Sequence, residues 1–243
     1  MADAAANTEW KVGGHGPIEK LAENLWRVEG DLPGMPLKRV MTVARRSGGG
    51  LVVHNAIALD DASMKELDAL GDVAEIIVPN GYHRLDAPRF KARYPKAKVF
   101  APAGATKKVS DVVPVDGSYD DLAREAGPDR EVAFAHLDGT REGEGVMTVR
   151  SKDGVTLVFN DAIFNMPHVP GFQGFVLKSL TKSTGGPRVS RIGKLFLVKD
   201  KAAFKAGLAV LADTPGLRRV VVSHHEMITS DCGDAIRAAA ATV

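Results

Sequence analysis

Thiols are almost missing from this chain: among 243 residues, Cys232 is the only cysteine. A single cysteine excludes an intrachain disulfide framework and implies no oxidising compartment. It also excludes thiolate clusters, so a zinc site would have to use histidine and carboxylate. No apolar run is long enough to cross a bilayer. The opening Met1-Ala-Asp-Ala-Ala-Ala-Asn-Thr-Glu-Trp10 lacks the basic and apolar segments of a secretory signal. A cytoplasmic location is expected. Excess charge of either sign is lacking as well, since 32 Lys and Arg face 30 Asp and Glu for a net charge of +2. No basic tract is dense enough for a nucleic-acid footprint. Neither nucleic acid nor a membrane is expected as a partner. Nothing matches a Gly-x-Ser-x-Gly elbow, a P-loop or a dinucleotide fingerprint.

What the chain does have is short apolar runs that end on polar groups. Val155-Thr-Leu-Val-Phe-Asn-Asp161 ends on a carboxylate, and Arg219-Val-Val-Val-Ser-His224-His225 on two histidines. Glu75-Ile-Ile-Val-Pro79 is followed by Asn80 and His83. Continuous β-branched runs bounded by polar residues read as buried strands of a covered sheet. Several such strands ending on Asp or His can gather those side chains on one rim, where α/β proteins keep their binding sites.

The length suits one large two-layered or sandwich domain, with residues 1–16 as a loose arm and 17–243 as the folded body. The opening runs around Asn24–Val28, Lys38–Ala44 and Leu51–Asn55, with Gly48-Gly49-Gly50 between the last two, predict antiparallel strands. Ser63-Met-Lys-Glu66 reads as a capping box, with Met64, Leu67 and Leu70 at helical spacing. Strand–helix alternation follows through Phe100. No element is assigned over 105–130. Strands are predicted at Glu131–His136, Gly145–Arg150 and up to Asp161. A Gly- and Pro-rich segment, 165–193, is expected over one end of the sheet. A helix at 202–212, a strand at 218–223 and a closing helix at 231–240 complete the chain.

The order of these motifs resembles the metallo-β-lactamase-like superfamily, a four-layer αββα sandwich of metal-dependent hydrolases. The family's strand ending in Gly-Asp is matched by Leu157-Val-Phe-Asn160-Asp161, with Asn160 in place of glycine. The late strand ending in Ser-His is matched by Val221-Val-Ser-His224. Counting back from Tyr94-Pro95 puts His83 on the last histidine of the family's H-x-H-x-D-H signature. Val78, Asn80 and Tyr82 then stand at the two earlier histidines and the aspartate. The likeness spans residues 22–240 and is closest to a branch of unknown function in which that signature is eroded.

The resemblance implies His83, Asp161 and His224 as metal ligands, with His136 and Tyr82 as candidates to assist catalysis beside His83 and Asp161. Each has a plainer reading. Asp161 could be a turn or helix cap. His224 could end its strand without a role, and His225, on the opposite side of an extended strand, would pack behind it. His83 could be a surface loop residue, and Tyr82 could donate to an oxyanion or simply pack. Asp138, Glu142 and Glu144 compete with His136 for its place. His168 reads as a loop residue, His54 as a packed, hydrogen-bonded histidine, and Cys232 as structural. Arg188, Arg191 and Lys194 would suit an anionic substrate, although solvated loop cations are common.

Two functions are carried forward. One is a hydrolase in which a single divalent ion, zinc first and ferrous iron second, activates water against an ester, lactone, thioester or phosphoester. The other is a binding or scaffold protein on the same fold, without metal, in which the three candidate ligands satisfy one another by hydrogen bonds.

Overall fold

The computed structural model describes residues 7–35, 37–127, 129–168 and 170–243. The first half of the chain builds one sheet. Strands β1 (Glu19–Ala22), β2 (Leu25–Asp31), β3 (Lys38–Arg45) and β4 (Leu51–His54) form an antiparallel meander. Helix α1 (Asp61–Leu70) then carries the chain to β5 (Val73–Ile77), and α2 (Ala87–Arg93) to β6 (Lys98–Ala101). After the short α3 (Thr106–Ser110) comes β7 (Gly117–Ser118), and β4 to β7 pair in parallel. The sheet order is simply β1 to β7.

The second half builds another sheet. Helix α4 (Tyr119–Ala126) leads into β8 (Val132–His136), β9 (Gly145–Ser151) and β10 (Gly154–Val158), an antiparallel set. A small ribbon of β11 (Phe164–Met166) and β12 (Gly186–Arg188) flanks α5 (Gly171–Phe175) and is followed by α6 (Arg191–Phe196). Helix α7 (Lys201–Ala212), strand β13 (Leu217–Val221) and α8 (Cys232–Ala241) finish the fold, with β13 parallel to β10. The order across this sheet is β13-β10-β9-β8.

Side-chain alternation explains why these sheets stack. On β5 and β6, Ile76 and Val99 face α1 and α2, joining Met64, Leu67 and Phe90 in one core. Their neighbours Ile77 and Phe100 point the other way, into a core shared with Met147, Val149, Val158 and Val221 of the second sheet. Leu157 and Val220 face outward again, onto Phe204, Leu208 and Ile236 of α7 and α8. A period of two on doubly covered strands thus yields three apolar interfaces and four layers, as an αββα sandwich requires.

Three local expectations need correction. Asp60, not Ser63, caps α1: its carboxylate accepts from the Ser63 backbone N–H at 2.8 Å. Asp is as good a cap as Ser, and here it stands three residues earlier. Of the expected loose arm, residues 1–6 lie outside the described residues, but Trp10 is docked. Its indole N–H donates to Leu59 O at 2.9 Å, and its ring lies 5.4 Å from that of Phe90. The unassigned 105–130 stretch contains α4, closed by a reciprocal capping box between Ser118 and Asp121. Ser118-Tyr-Asp-Asp121 carried that cue in the sequence.

Candidate active site

Parallel pairing sets the geometry of the rim. In the β10–β13 pair, Val158 lies opposite Val221. Asp161 and His224 each follow three residues beyond that pair, so both side chains leave the sheet at the same level. In the other sheet His54 of β4 lies opposite Ile77 of β5, and the chain beyond them supplies Asn55 and then Asn80, Tyr82 and His83. The two rims are tied where the Val40 N–H donates to Ser223 O at 2.9 Å. The donors therefore converge at the carboxyl ends of strands in both sheets.

His83 Nε2 lies 3.1 Å, and His224 Nε2 3.2 Å, from the same oxygen, Asp161 Oδ1. The ligating atoms of these three residues all lie within 4.8 Å of one another. The far nitrogens fix the rings. His224 Nδ1 donates to the backbone carbonyl of Lys38 at 2.8 Å. His83 Nδ1 donates to Asn55 Oδ1 at 3.2 Å, because the Asn55 amide nitrogen is committed to Val40 O. A carbonyl can only accept, so both Nδ1 atoms carry their protons, and in the neutral rings both Nε2 lone pairs face a carboxylate oxygen. Two lone pairs and an anion at hydrogen-bond distance repel unless something positive sits among them. Either protons or a metal cation answers that need, and outward Nδ1–H bonds of this kind are how metal-bound imidazoles are held.

Asn80 organises the other side. Its amide nitrogen donates to Asp161 Oδ2 at 2.7 Å and to Glu144 Oε2 at 3.2 Å. Its oxygen accepts the backbone N–H groups of Tyr82 and His83, shaping the loop that presents the imidazole. Glu144 is fully buried and accepts the backbone N–H groups of Asp161 and Ala162, so it clamps the turn bearing the central carboxylate.

Burial and the neighbouring Asp161 charge push the Glu144 carboxyl up to about 8. Burial also opposes a charge on Asp161, but His83 and His224 outweigh it and hold that carboxyl well below the usual range. For His224, burial is likewise overcome by Asp161, and its pKa is raised. The folded, metal-free chain thus holds more protons than the unfolded chain, between 4.5 and about 8 at Glu144 and upward from 6.5 at His224. Stability must fall as pH rises through that window. His54 and His225, both lowered, act with the opposite sign but only below 6.5. The urea midpoint of the chelator-treated chain is expected to be lower at about pH 8.5 than at about pH 7. A midpoint that rises over that interval would contradict this electrostatic account.

Above the three donors opens a cavity of about 390 Å³, with Asn55, Tyr82, Arg39 and apolar Leu32, Leu37 and Leu85 among its lining residues. Tyr82 is 69% exposed at the mouth, and Lys108 Nζ lies 3.3 Å from its ring centroid. The Arg39 guanidinium is buried and pairs with Asp86 at 2.6 Å; Asp86 also binds Arg89, so the group carries one net positive charge. Phe164 covers the other flank, stacked on His224 with ring centroids 5.1 Å apart.

The fold brings together His83, Asp161 and His224, and sets Tyr82 at the edge. His136 is not in this cluster. Its Nε2 accepts the Ala103 N–H at 3.0 Å, and its ring stacks on Tyr119. Of the three acids weighed against it, Glu144 is the one joined to Asp161. His225 adopts a left-handed backbone (φ 67°), which turns it out of the strand geometry expected for it, and it faces the Lys38 N–H. His54 is buried as expected, but neither of its ring nitrogens has a hydrogen-bond partner among the described residues. Its pKa falls to about 3 through burial and nearby His83, so it is neutral. His168 meets Thr184 in its loop, and Cys232 is buried with its thiol raised by burial. Sequence reasoning missed Asn55 and Arg39. Asn55 directly follows a buried strand, a cue like that of Asp161, whereas Arg39 reads as an ordinary residue of a strand.

No protein-family profile and no curated protein matches the sequence. Solved structures do match in shape. A metallo-β-lactamase from Erythrobacter litoralis, with β-mercaptoethanol in its active site, superposes with a TM-score of 0.62 at 12% identity, covering 93% of this chain and 96% of that one. The metallo-β-lactamase FIM-1 from Pseudomonas aeruginosa, in a mono-zinc form, gives 0.62 at 10% identity over 95% and 96%. The metallo-β-lactamase DIM-1 gives 0.61 at 10% identity over 96% and 99%. The chain has the metallo-β-lactamase fold, as the motif order implied. Identities this low carry the fold alone.

Proposed function

We propose that this chain is a metal-dependent hydrolase holding one divalent ion, zinc before iron, on His83, Asp161 and His224. The observation that carries this reading is the pair of Nε2 atoms turned onto one carboxylate oxygen, with both Nδ1 atoms engaged elsewhere. Two imidazoles and a carboxylate are a donor set that suits both metals and leaves a position open to substrate. Such an ion, when bound, supplies a Lewis acid for a carbonyl or phosphoryl oxygen and lowers the pKa of water. A single ion is favoured because Val78, at the first signature position, is buried in the helix-side core, and Asn80 is spent on hydrogen bonds.

The remaining residues have roles of their own. Asn80 holds Asp161 Oδ2 so that Oδ1 is presented. Asn55 and the Lys38 carbonyl fix the imidazoles. Glu144, walled off from the cavity, keeps the Asp161 turn rigid and does not reach substrate. Arg39 offers a cation for an anionic or carbonyl oxygen, Tyr82 a hydroxyl at the mouth, and the leucines a surface for an apolar body. An ester, lactone, thioester or phosphoester with an apolar portion fits that lining.

The test is metal analysis of the purified chain, followed by a substrate panel of those four classes run with chelator and after zinc or iron is restored. Near one ion per chain and a restorable activity support the reading. Well under one ion, with no recovery on addition, sinks it. The second reading, a metal-free scaffold, draws on the 3.1 and 3.2 Å separations, which are hydrogen-bond lengths once each imidazole is protonated.

A further inference from the structure

Between residues 162 and 199 there is no Asp or Glu, while Lys178, Lys182, Arg188, Arg191, Lys194 and Lys199 all fall there. A chain of net charge +2 therefore concentrates +6 in one segment. Among the described residues none of these six cations has an acidic partner within ion-pair distance. They also crowd one another: Lys194 is lowered by burial and then by Lys182, Lys201, Arg191 and Arg188.

The same segment shows solvent its largest apolar side chains. Phe172 is 81% exposed, Leu195 69%, Phe175 and Phe196 60%, Leu180 58% and Ile192 55%. Helix α6 turns inward at Gly193, whose missing side chain would lie 3.5 Å from Asp161 O, and outward with Ile192, Leu195 and Phe196. Soluble surfaces rarely gather so many large apolar groups without a partner.

We propose that residues 171–196 dock the protein peripherally on an anionic lipid surface, with the aromatic and aliphatic side chains entering the headgroup boundary and the cations meeting lipid phosphates. This combination of exposed apolar bulk and unpaired positive charge is the recognition chemistry of interfacial segments. A second copy of the chain is a poorer occupant, because two-fold contact would set the five cations of this segment that have no acidic partner against five. A nucleic acid would use the charge but has no place for Leu180, Ile192 and Leu195. The absence of a long apolar run, which argued against a membrane partner, bears on spanning and not on surface binding. The inner face of α6 meets the Asp161 backbone at Gly193, so a docked molecule would hold the rim bearing His83, Asp161 and His224 near the bilayer.

Co-sedimentation with vesicles of phosphatidylcholine alone, and of phosphatidylcholine with phosphatidylglycerol in equal parts, tests this. Binding is expected to the mixed vesicles, to weaken with added salt, and to drop at least about tenfold in two double variants. One is Phe172→Ser with Phe175→Ser and the other Lys178→Glu with Lys182→Glu, each checked by circular dichroism for an unchanged fold. Equal partitioning to both vesicle types, or binding indifferent to both variants, overturns the proposal. So does a dimer mass in light scattering that the phenylalanine variant abolishes. So does tighter binding to single-stranded RNA that only the lysine variant removes.

Discussion

His224→Ala is expected to purify with less than about a tenth of the parent's bound transition metal and to lose at least about a hundredfold in metal affinity, since even the residues that merely orient a metal ligand are worth ten- to a hundredfold. His224 supplies one of the three clustered donors found among the described residues, and its ring is held in place by the Lys38 carbonyl. His225, next in the chain, has its ring turned to the Lys38 N–H instead. Atomic absorption on both proteins after identical purification checks the outcome. An unchanged metal content with a marked loss of stability would favour the scaffold reading. Asp161 would then sit half-buried with one of its two imidazole partners gone.

Asp86→Ala is expected to cost about 3–5 kcal/mol of folding stability, the toll typical of removing one member of a buried ion network. Asp86 is 1% exposed and sits between Arg39 and Arg89, both nearly as buried. It also accepts the Ala58 N–H at 3.1 Å. Deleting its carboxylate leaves two guanidinium groups in the interior with no countercharge and one backbone donor unsatisfied. Urea titration measures the loss. Asp234→Ala is the control, because Asp234 pairs with Arg237 on the surface and should matter little. A cost below about 1 kcal/mol for Asp86→Ala would mean that water reaches the two arginines.

Much of this is legible in the sequence, and the boundary is a physical one. Leu157-Val158-Phe159 and Val220-Val221-Val222 stand out because a chain covered on both faces is apolar there, and the polar residues after them mark the rim. Asp161 and His224 are legible for that reason, His83 through its place in the spacing of the family signature. The partners of those ligands were harder. Asn80 was read as an absence, a lost histidine, when its amide in fact joins Asp161 to Glu144. Glu144 sat in a Gly-rich loop among other acids, and nothing in the chain says which of three carboxylates will be buried. His136, at the end of its strand, matches a histidine position of the resembled family, but β8 is the edge strand of its sheet, and its ring is taken up by Ala103 and Tyr119. Long-range hydrogen bonds decide such cases, and a one-dimensional pattern does not encode them.

The polypeptide sorts itself cleanly in space: everything up to β7 lies in one sheet, and everything from β8 onward, apart from the small ribbon, lies in the other. His83 and Asn55 belong to the leading portion, Asp161 and His224 to the trailing one. An ion gripped by all three ligands would therefore act as a rivet between two halves of the molecule that are otherwise held mainly by greasy side chains and a few seam contacts. Saturating that rivet would resist prying the sandwich open, so occupancy of the rim and the stability of the native state would rise together.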